Sequence, residues 1–468
     1  MESVARPVSN INIIQNTLAK SDAEMCIKKK RAYVFLVLLY KALLDILYVT
    51  GIAKDYAYYG LDFAYTPEKI VIGYAFFLVI LIFIIKHMSH WRPSNLLMFF
   101  FEIMYFIPGT TFHTYSSSEI SFLWFFIGFY LLFQLANELA KKAVKEKHKP
   151  SSPETMANKR AAYKVFIYAL LAFTVFYLVY YNGFKIKLDF SNVYQIRAQI
   201  GSSDIPTVIS YIKNPTGILI PILIYVCLKD KKFVKAFLLI VLQLAMYAFG
   251  ANKIHLLSIG VSIAMALINR RQIYLWVLVG LSLFLVFSVI YRSAMGELDV
   301  LSNVLIRRTM FTPHKMCHDY FTCFSTREPD YWRASILRYF GFQSPYGELT
   351  YYIGIYNKTF SNCDNGLAGD AFGNFGYYSL LIYPFLYFLV FVSYNFMCRG
   401  MRKEIIIFLS FIYAVVFYDA PFFTVMMTHG YLFMFLFFIT IFPYKYSYKF
   451  VKTNKKQNSN ENLNQVNC

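Results

Sequence analysis

Long apolar runs separated by short polar segments dominate this chain. A helix needs about 20 apolar residues to cross the hydrocarbon core of a bilayer. On that criterion the pattern predicts twelve spans, near 32–52, 69–86, 94–114, 119–139, 162–182, 207–228, 233–250, 253–269, 273–291, 377–397, 404–420 and 425–443. The pattern therefore predicts an all-α polytopic membrane protein with a single transmembrane domain over residues 32–443.

Polar segments flank this domain at both ends. Residues 1–31 are polar and mixed, and they end in "KKKR" immediately before the first apolar run, which is not the pattern of a cleavable signal peptide. The segment 444–468 is rich in Asn and Gln, so we expect a disordered tail.

Basic residues concentrate in alternate loops. They fill the N-terminal "KKKR", the tail, and the loops at 141–160, 229–235, 269–271 and 398–403. Because loops rich in Lys and Arg stay in the cytoplasm, both termini are predicted to be cytoplasmic. The opposite side then receives two substantial loops, near 183–206 and 292–376.

Composition excludes several classes of protein. Only 15% of the residues are charged, whereas soluble domains carry about 25%. The net charge of +20 lies mostly in short loops beside apolar runs, which indicates a membrane protein and not a nucleic-acid-binding protein. The seven cysteines form no CxxC, so no metal site or cofactor is predicted. Cys317, Cys323 and Cys363 fall in the larger loop and would allow one disulfide in an oxidising compartment.

The larger outer loop contains the unusual stretch "RRTMFTPHKMCHDYFTCF". Apolar residues recur at helical spacing in the segment 299–311, which overlaps the start of this stretch. Asp299 is the expected capping residue of this helix and Pro313 its expected end. We expect a helix lying on the membrane surface, with Arg307 and Arg308 at the level of the lipid headgroups.

Further arginines accompany this pair. Arg292 ends the ninth span, and Arg333 and Arg338 follow in "YWRASILRYF". The planar fork of arginine suits phosphate oxygens, so several arginines around one cavity would bind a lipid diphosphate. The alternative is contact with ordinary lipid phosphates, or pairing with the acidic residues Glu297, Asp299, Glu328 and Asp330.

The smaller outer loop contains "LDFSNVYQIRAQIG". Tyr194 and Arg197 are three residues apart and would share one face of a helix. They are a candidate phosphate or sugar contact. The alternative is an interfacial aromatic beside a snorkelling arginine.

A glycine stripe precedes the tenth span. The glycines of "NGLAGDAFGNFG" (365–376) fall on one helical face, which is typical of close helix packing. That explanation does not cover Asn365 and Asp370, which are candidate site residues. No lysine follows the glycines as a phosphate-binding loop requires, so nucleotide binding is not predicted.

Polar residues inside predicted spans are candidate functional residues by default. Lys41 and Asp45 are four residues apart and are predicted to neutralise one another. Glu102 lies in the middle of a span without an evident partner. Four more polar residues fall at the outer ends of spans: Lys253, His255, Asp419 and His429.

These stretches resemble the O-antigen polymerases, the Wzy-type family that polymerises oligosaccharide repeat units. The resemblance covers roughly residues 160–440 and depends on short motifs in a fixed order, namely "VYQIR", "GANK", "RRTMFTP" followed by "DYF", and "NGLAGDAFGNFG". The chain departs from one pattern described in that family, an arginine followed ten residues later by glycine in both large outer loops.

The resemblance implies a GT-C-like fold in the bacterial inner membrane, with both outer loops in the periplasm. It also implies a glycosyltransferase that acts without a nucleotide sugar. Such an enzyme transfers a growing chain from undecaprenyl diphosphate to a new lipid-linked repeat unit during lipopolysaccharide or other polysaccharide biosynthesis. The implied partners are the lipid-linked oligosaccharide, the bilayer and a chain-length regulator.

Under this reading each candidate residue receives a role. The diphosphate would be held by Arg197, Arg307 and Arg308, supported by Arg292 and Lys253. The candidate bases are Asp370 and His314, with His318 and Asp319 as alternatives. Contacts to sugars would come from Tyr194, Tyr320, Trp332 and Asn365.

Three other functions compete with polymerase. An O-antigen ligase, which transfers finished polymer to lipid A core, has a similar architecture and would also use outer arginines and a histidine. A repeat-unit flippase or other transporter suits twelve spans, but the two halves show no convincing internal repeat. A non-enzymatic scaffold would not require clustered outer arginines.

Overall fold

The computed structural model describes residues 30–144, 153–182, 207–250, 253–267, 272–359 and 362–442. This part of the chain is 83% helical and contains no strand. The main helices are α1 (Lys30–Asp55), α2 (Pro67–Ser89), α3 (Pro93–Tyr115), α4 (Ile120–Ala143), α5 (Pro153–Asn182), α6 (Thr207–Lys229), α7 (Phe233–Gly250), α8 (Lys253–Leu267), α9 (Ile273–Met295), α10 (300–325), α11 (Leu349–Tyr356), α12 (Leu367–Phe375), α13 (Ser379–Met397), α14 (Lys403–Asp419), α15 (Phe422–Met426) and α16 (Tyr431–Thr440). The predicted N-terminal segment up to residue 29, the loop at 183–206 and the tail from 443 lie outside the described residues.

Eleven of the twelve predicted spans fall on one helix each, and the last, 425–443, falls on the end of α15 and on α16, with a turn between them. Within the described residues, nine helical stretches are long and apolar enough to cross a membrane. The predicted spans at 233–250, 253–269 and 404–420 correspond to α7, α8 and α14, which have 18, 15 and 17 residues. The chain is therefore an all-α, multi-pass membrane protein.

Local sequence signals set several helix ends. Thr66 caps α2 by accepting a hydrogen bond from the backbone of Lys69, and Pro67 fits the first turn, where its missing N–H costs nothing. At the end of α9, Gly296 adopts φ +78° and donates its N–H to the carbonyl of Arg292. That left-handed conformation favours glycine and stops the helix.

Helix α3 lies at the centre of the bundle, because its most apolar window is buried completely. Its rings pack against those of its neighbours: Phe101 lies 5.4 Å from Phe133 of α4, and Phe100 lies 5.6 Å from Phe411 of α14. On the next layer Phe133 also meets Tyr387 of α13 at 4.7 Å. Edge-to-face pairs of this kind stabilise the packing beyond the area that they bury.

Two polar groups inside the bundle find partners. The predicted pair of Lys41 and Asp45 is confirmed, with 2.5 Å between the ammonium and the carboxylate. Glu102 is fully buried and accepts hydrogen bonds from Gln134 at 2.6 Å and Tyr130 at 3.0 Å, while His87 lies 3.1 Å away. These partners come from α2 and α4, so their pairing could not be seen from local spacing.

The ends of the helices define two faces of the bundle. On one, here called the loop face, Arg292 pairs with Asp55 at 2.8 Å and the backbone of Ala64 bonds to Tyr115, so the loops after α1, α3 and α9 gather there. On the other, here called the basic face, the ammonium of Lys403 lies 4.8 Å from the ring centre of Trp91.

The predicted glycine packing is confirmed at α12. A side chain on Gly366 would collide with the backbone carbonyl of Phe417 in α14. A side chain on Gly373 would meet the ring of Tyr320 at 2.7 Å. Small residues here let three helices approach closely on the loop face.

Candidate functional site

Helix α10 contains the stretch that the sequence singled out. Asp299 caps it, as predicted, by accepting a hydrogen bond from the backbone of Ser302 at 2.9 Å. The prediction that Pro313 ends the helix is wrong. A π-helical section, Asn303–Phe311, passes directly into an α-helix, Thr312–Ser325, in which Pro313 occupies the first turn. A proline there breaks no hydrogen bond.

The apolar side of α10 packs on the protein itself. Ile306, Met310 and Phe311 are almost fully buried. The ring of Phe311 lies 5.0 Å from that of Tyr48, and the hydroxyl of Tyr40 lies 3.6 Å from the sulfur of Met310. One side of α10 therefore belongs to the bundle and holds its arginines against α1, whereas Val300 and Leu301 at its start are exposed, and the helix at the membrane surface stays a prediction.

Arg307 is the unusual cation of this helix. Its side chain is 9% exposed, its Nε donates to the side chain of Asn303, and its guanidinium carbon lies 4.2 Å from the ring centre of Tyr56. Among the described residues it forms no ion pair with a carboxylate. Burial lowers the pKa of Arg307, but an arginine remains charged at neutral pH. A buried charge without a counter-charge is a strong site for an anion.

Aromatic and charged groups surround this arginine. Lys315 lies 5.1 Å from the ring centre of Tyr59 and 2.7 Å from the carboxylate of Asp319. We call Arg307, Tyr56, Tyr59, Lys315 and Asp319 the Arg307 cluster. Sequence reasoning missed its tyrosines, although the aromatic run "DYAYYG" directly after the first span was a usable signal.

The other two described arginines of the predicted clamp differ from Arg307. Arg292 forms an ion pair with Asp55, which joins the ends of α9 and α1. Arg308 lies beside Arg307 and is half-buried. Arg197 and Tyr194 lie outside the described residues, and so does the side chain of Lys253, whose backbone begins α8.

Asp370 is held by three donors and does not have the free oxygen that a base needs. Its Oδ2 accepts from the hydroxyl of Tyr383 and from the backbone of Phe422, both at 2.8 Å. Its Oδ1 accepts from the amide of Asn374 at 2.9 Å. We call these four residues the Asp370 cluster. Through these hydrogen bonds Asp370 joins α12, α13 and α15.

The histidine candidates are also engaged. His314 is fully buried, and its Nε2 lies 2.8 Å from the carbonyl of Tyr105. Burial lowers the pKa of His314 to about 3, against the effect of that carbonyl, so the ring is neutral at pH 7. His318 lies 2.5 Å from the carboxylate of Glu119 and tethers α10 to the start of α4.

Asp319 is the acidic candidate base on the same helix as Arg307. Burial raises its pKa, and the neighbouring Lys315 opposes that effect. The ion pair with Lys315 nevertheless occupies one of its oxygens. The main role of Asp319 in the Arg307 cluster is therefore to neutralise Lys315.

Of the predicted sugar contacts that the structure describes, Tyr320 and Asn365 lie inside the protein and Trp332 is half-buried. Tyr320 is buried and donates to the carbonyl of Cys363 at 3.2 Å, and Asn365 is buried and donates to the carbonyl of Pro313 at 2.6 Å. Trp332 donates its indole N–H to Tyr383 at 3.2 Å. These three residues hold the outer loop on the bundle instead of presenting flat faces to solvent. In the same loop, no disulfide joins Cys317, Cys323 and Cys363, although the sequence would allow one.

This chain matches no family model, no curated protein and no solved structure. The resemblance to the O-antigen polymerases therefore rests on the sequence motifs alone.

Proposed function

We propose that this chain is a glycosyltransferase that joins undecaprenyl-diphosphate-linked oligosaccharide repeat units into O-antigen or a related surface polysaccharide. The observation that carries the proposal is Arg307, a buried cation on the loop face with no carboxylate partner among the described residues. A lipid diphosphate supplies the missing negative charge, and it arrives from the membrane at the depth where α10 lies.

The reaction gives that arginine a task. A hydroxyl of the acceptor sugar attacks the anomeric carbon of the donor, a new carbon–oxygen bond forms, and the bond from that carbon to the diphosphate oxygen breaks. The electron pair leaves with the diphosphate, so negative charge grows there. A fixed guanidinium in a poorly solvated site stabilises that charge without reorganising during the reaction.

Neighbours of Arg307 hold it ready for this role. Asn303 and the face of Tyr56 fix the guanidinium from two sides, which leaves its terminal nitrogens for phosphate oxygens. Arg308 is adjacent and adds positive charge. We retain Arg197, Tyr194 and Lys253 as predicted contacts to the same substrate.

We further propose a GT-C-like arrangement of twelve spans, in which α7, α8 and α14 make the shorter crossings. The loop face would then be periplasmic and the basic face cytoplasmic, with the chain in the inner membrane of a bacterium. The distribution of Lys and Arg supports this orientation. A chain-length regulator would act on the same assembly.

A lipopolysaccharide gel tests the function. The gene is deleted in the bacterium that carries it, and the strain is complemented with wild type, Arg307→Ala or Arg338→Ala. Arg338 is the matched control, because it is an arginine of the same loop whose side-chain nitrogen bonds only to the exposed Tyr339 beside it among the described residues. We expect deletion to collapse the ladder to core plus one repeat unit, and only Arg307→Ala to fail at restoring it.

Other outcomes would replace the proposal. If deletion removes even the single-unit band while long chains accumulate on undecaprenyl diphosphate, the protein is a ligase. If repeat units instead accumulate unpolymerised on the cytoplasmic side, it is a transporter. An unchanged ladder excludes all three functions.

A further inference from the structure

A small cavity of about 40 Å³ lies between α6, α8, α14 and the turn before α16. Two histidines line it, His255 from α8 and His429 from that turn, together with Asn214 and Ser258. A space of this size holds a water-sized polar group. The sequence placed both histidines at the outer ends of spans, and the structure brings them to one place.

His255 is held in one orientation. The amide nitrogen of Gln243 lies 3.2 Å from its Nδ1 and 3.1 Å from the carbonyl of Gly217. An amide nitrogen can only donate, so Nδ1 accepts and the ring carries its proton on Nε2. A side chain on Gly217 would collide with this ring, which fixes its position further.

His429 is positioned but not engaged. The amide of Asn214 donates to the carbonyl of Thr428 at 2.9 Å, which holds the turn against α6. Gly430 adopts φ +76° and packs so tightly on Pro215 that a side chain would collide. The imidazole of His429 has no hydrogen-bond partner among the described residues, and it lines the cavity. The turn before α16 thus presents the imidazole of His429 to the cavity with a nitrogen that a ligand could contact.

The cavity and α10 lie on two sides of α14. Val416 lines the cavity, while Tyr418 stacks at 5.7 Å on Tyr105, which also contacts His314 of α10 at 4.4 Å. A helix with its side chains is about 10–12 Å across. Because α14 ends at Asp419, a substrate lying over its end would reach both the Arg307 cluster and the cavity.

We infer that this cavity receives the attacking hydroxyl of the acceptor sugar, and that His429 is the catalytic base that removes its proton. The proton passes to the free imidazole nitrogen as the oxygen bonds to the anomeric carbon and the diphosphate departs toward Arg307. His255 is a positioning residue, because it shapes the cavity from the opposite wall. This inference rests on the proposed function, and it names a base in place of Asp370 and His314, which are buried inside the bundle.

The test uses the purified full chain in lipid nanodiscs with lipid-linked repeat units as substrate. We expect His429→Ala to lower the polymerisation rate by about 100- to 10,000-fold, and added imidazole to restore part of it. Undecaprenyl diphosphate should bind the variant with wild-type affinity, which shows that it is folded. The control His90→Ala removes an exposed histidine at the end of α2, outside the cavity, and should keep its rate and ignore imidazole.

The outcomes separate the two proposals. An active wild type with an equally active His429→Ala overturns the base but leaves the proposed function standing. A folded His429→Ala that stays inactive in imidazole also overturns it. If His429→Ala does not fold, the same two criteria apply to His429→Asn. An inactive wild type that fails to bind undecaprenyl diphosphate overturns the proposed function and this inference with it.

Discussion

The Arg307 and Asp370 clusters lie on the same face of the bundle, and both contain a buried charged group that the sequence had singled out. They differ in how that group is satisfied. Asp370 receives three hydrogen bonds that occupy both of its oxygens. Arg307 has one side-chain hydrogen bond, one aromatic face and no carboxylate partner among the described residues.

The difference teaches how to sort buried charges. Buried polar groups in proteins normally have hydrogen-bond partners, so a buried charge with all its partners inside the protein needs no ligand to account for it. A buried cation that lacks a counter-charge costs free energy in the empty protein. That cost is recovered when an anion binds, so the Arg307 cluster is the better candidate for a ligand site.

The largest effect is expected at Arg307. Replacing it by alanine should slow polymerisation by about 100- to 1000-fold, the usual loss when one charge-stabilising donor is removed. The measurement is product formation by purified protein from lipid-linked repeat units. Arg338→Ala should stay within about twofold of wild type. Equal losses in the two variants would show that only the overall charge of the loop matters.

Substitution of Asp370 should instead affect stability. Asp370→Ala leaves the backbone N–H of Phe422 without its acceptor, while Asn374 and Tyr383 keep only the backbone carbonyl of residue 370. We expect a loss of about 2–5 kcal/mol, read as a lower unfolding midpoint in detergent. Asp370→Asn should fall between alanine and wild type. A fully stable but inactive Asp370→Asn would contradict the comparison and return Asp370 to the role of base.

The tyrosine under Arg307 should have a moderate effect. Tyr56→Ala removes the aromatic face, which is worth roughly 0.5–2 kcal/mol, so undecaprenyl diphosphate should bind about 2- to 30-fold more weakly. Tyr56→Phe keeps the face and should bind normally. A similar loss in both variants would mean that the hydroxyl, and not the ring, matters.

The exposed ion pair on the same face should matter least. Burial acts to raise the pKa of Glu119, but the hydrogen bond from His318, a backbone hydrogen bond and the charges of His318 and Lys69 together outweigh it, so the net shift is downward. A lowered pKa stabilises the fold above the unfolded value, and that contribution is lost as the pH falls through the native value. Glu119→Gln should therefore cost about 0–1 kcal/mol at pH 7, and the difference from wild type should shrink as the pH falls below the ordinary pKa of a glutamate and vanish below the lowered native pKa. A difference that persists there would mean that another contact was lost.

The sequence predicted the helices well, because apolar length alone identifies a span. Its predictions within the loop face were less successful for two physical reasons. Tyr56 and Arg307 meet only in three dimensions, so spacing could not pair them. A proline in this position predicts a helix end, whereas the change from π-helix to α-helix places Pro313 in the first turn of the α-helical section.

Candidate residues show the same limit. Trp332 and Asn365 had the right chemistry for sugar binding, but they are used to hold the loop. The cavity between His255 and His429 depends on helices that are far apart in the chain. Residue type indicated where polar chemistry lies, and only packing showed which groups remain free for a substrate.

The most direct test of the central claim is equilibrium binding of undecaprenyl diphosphate to the full chain in nanodiscs, measured for wild type, Arg307→Ala and Arg338→Ala. We predict saturable binding by wild type and Arg338→Ala, and binding at least about tenfold weaker by Arg307→Ala, as expected for loss of a buried charge-assisted contact. Unchanged binding by a folded Arg307→Ala would show that the unpaired arginine is not the diphosphate site.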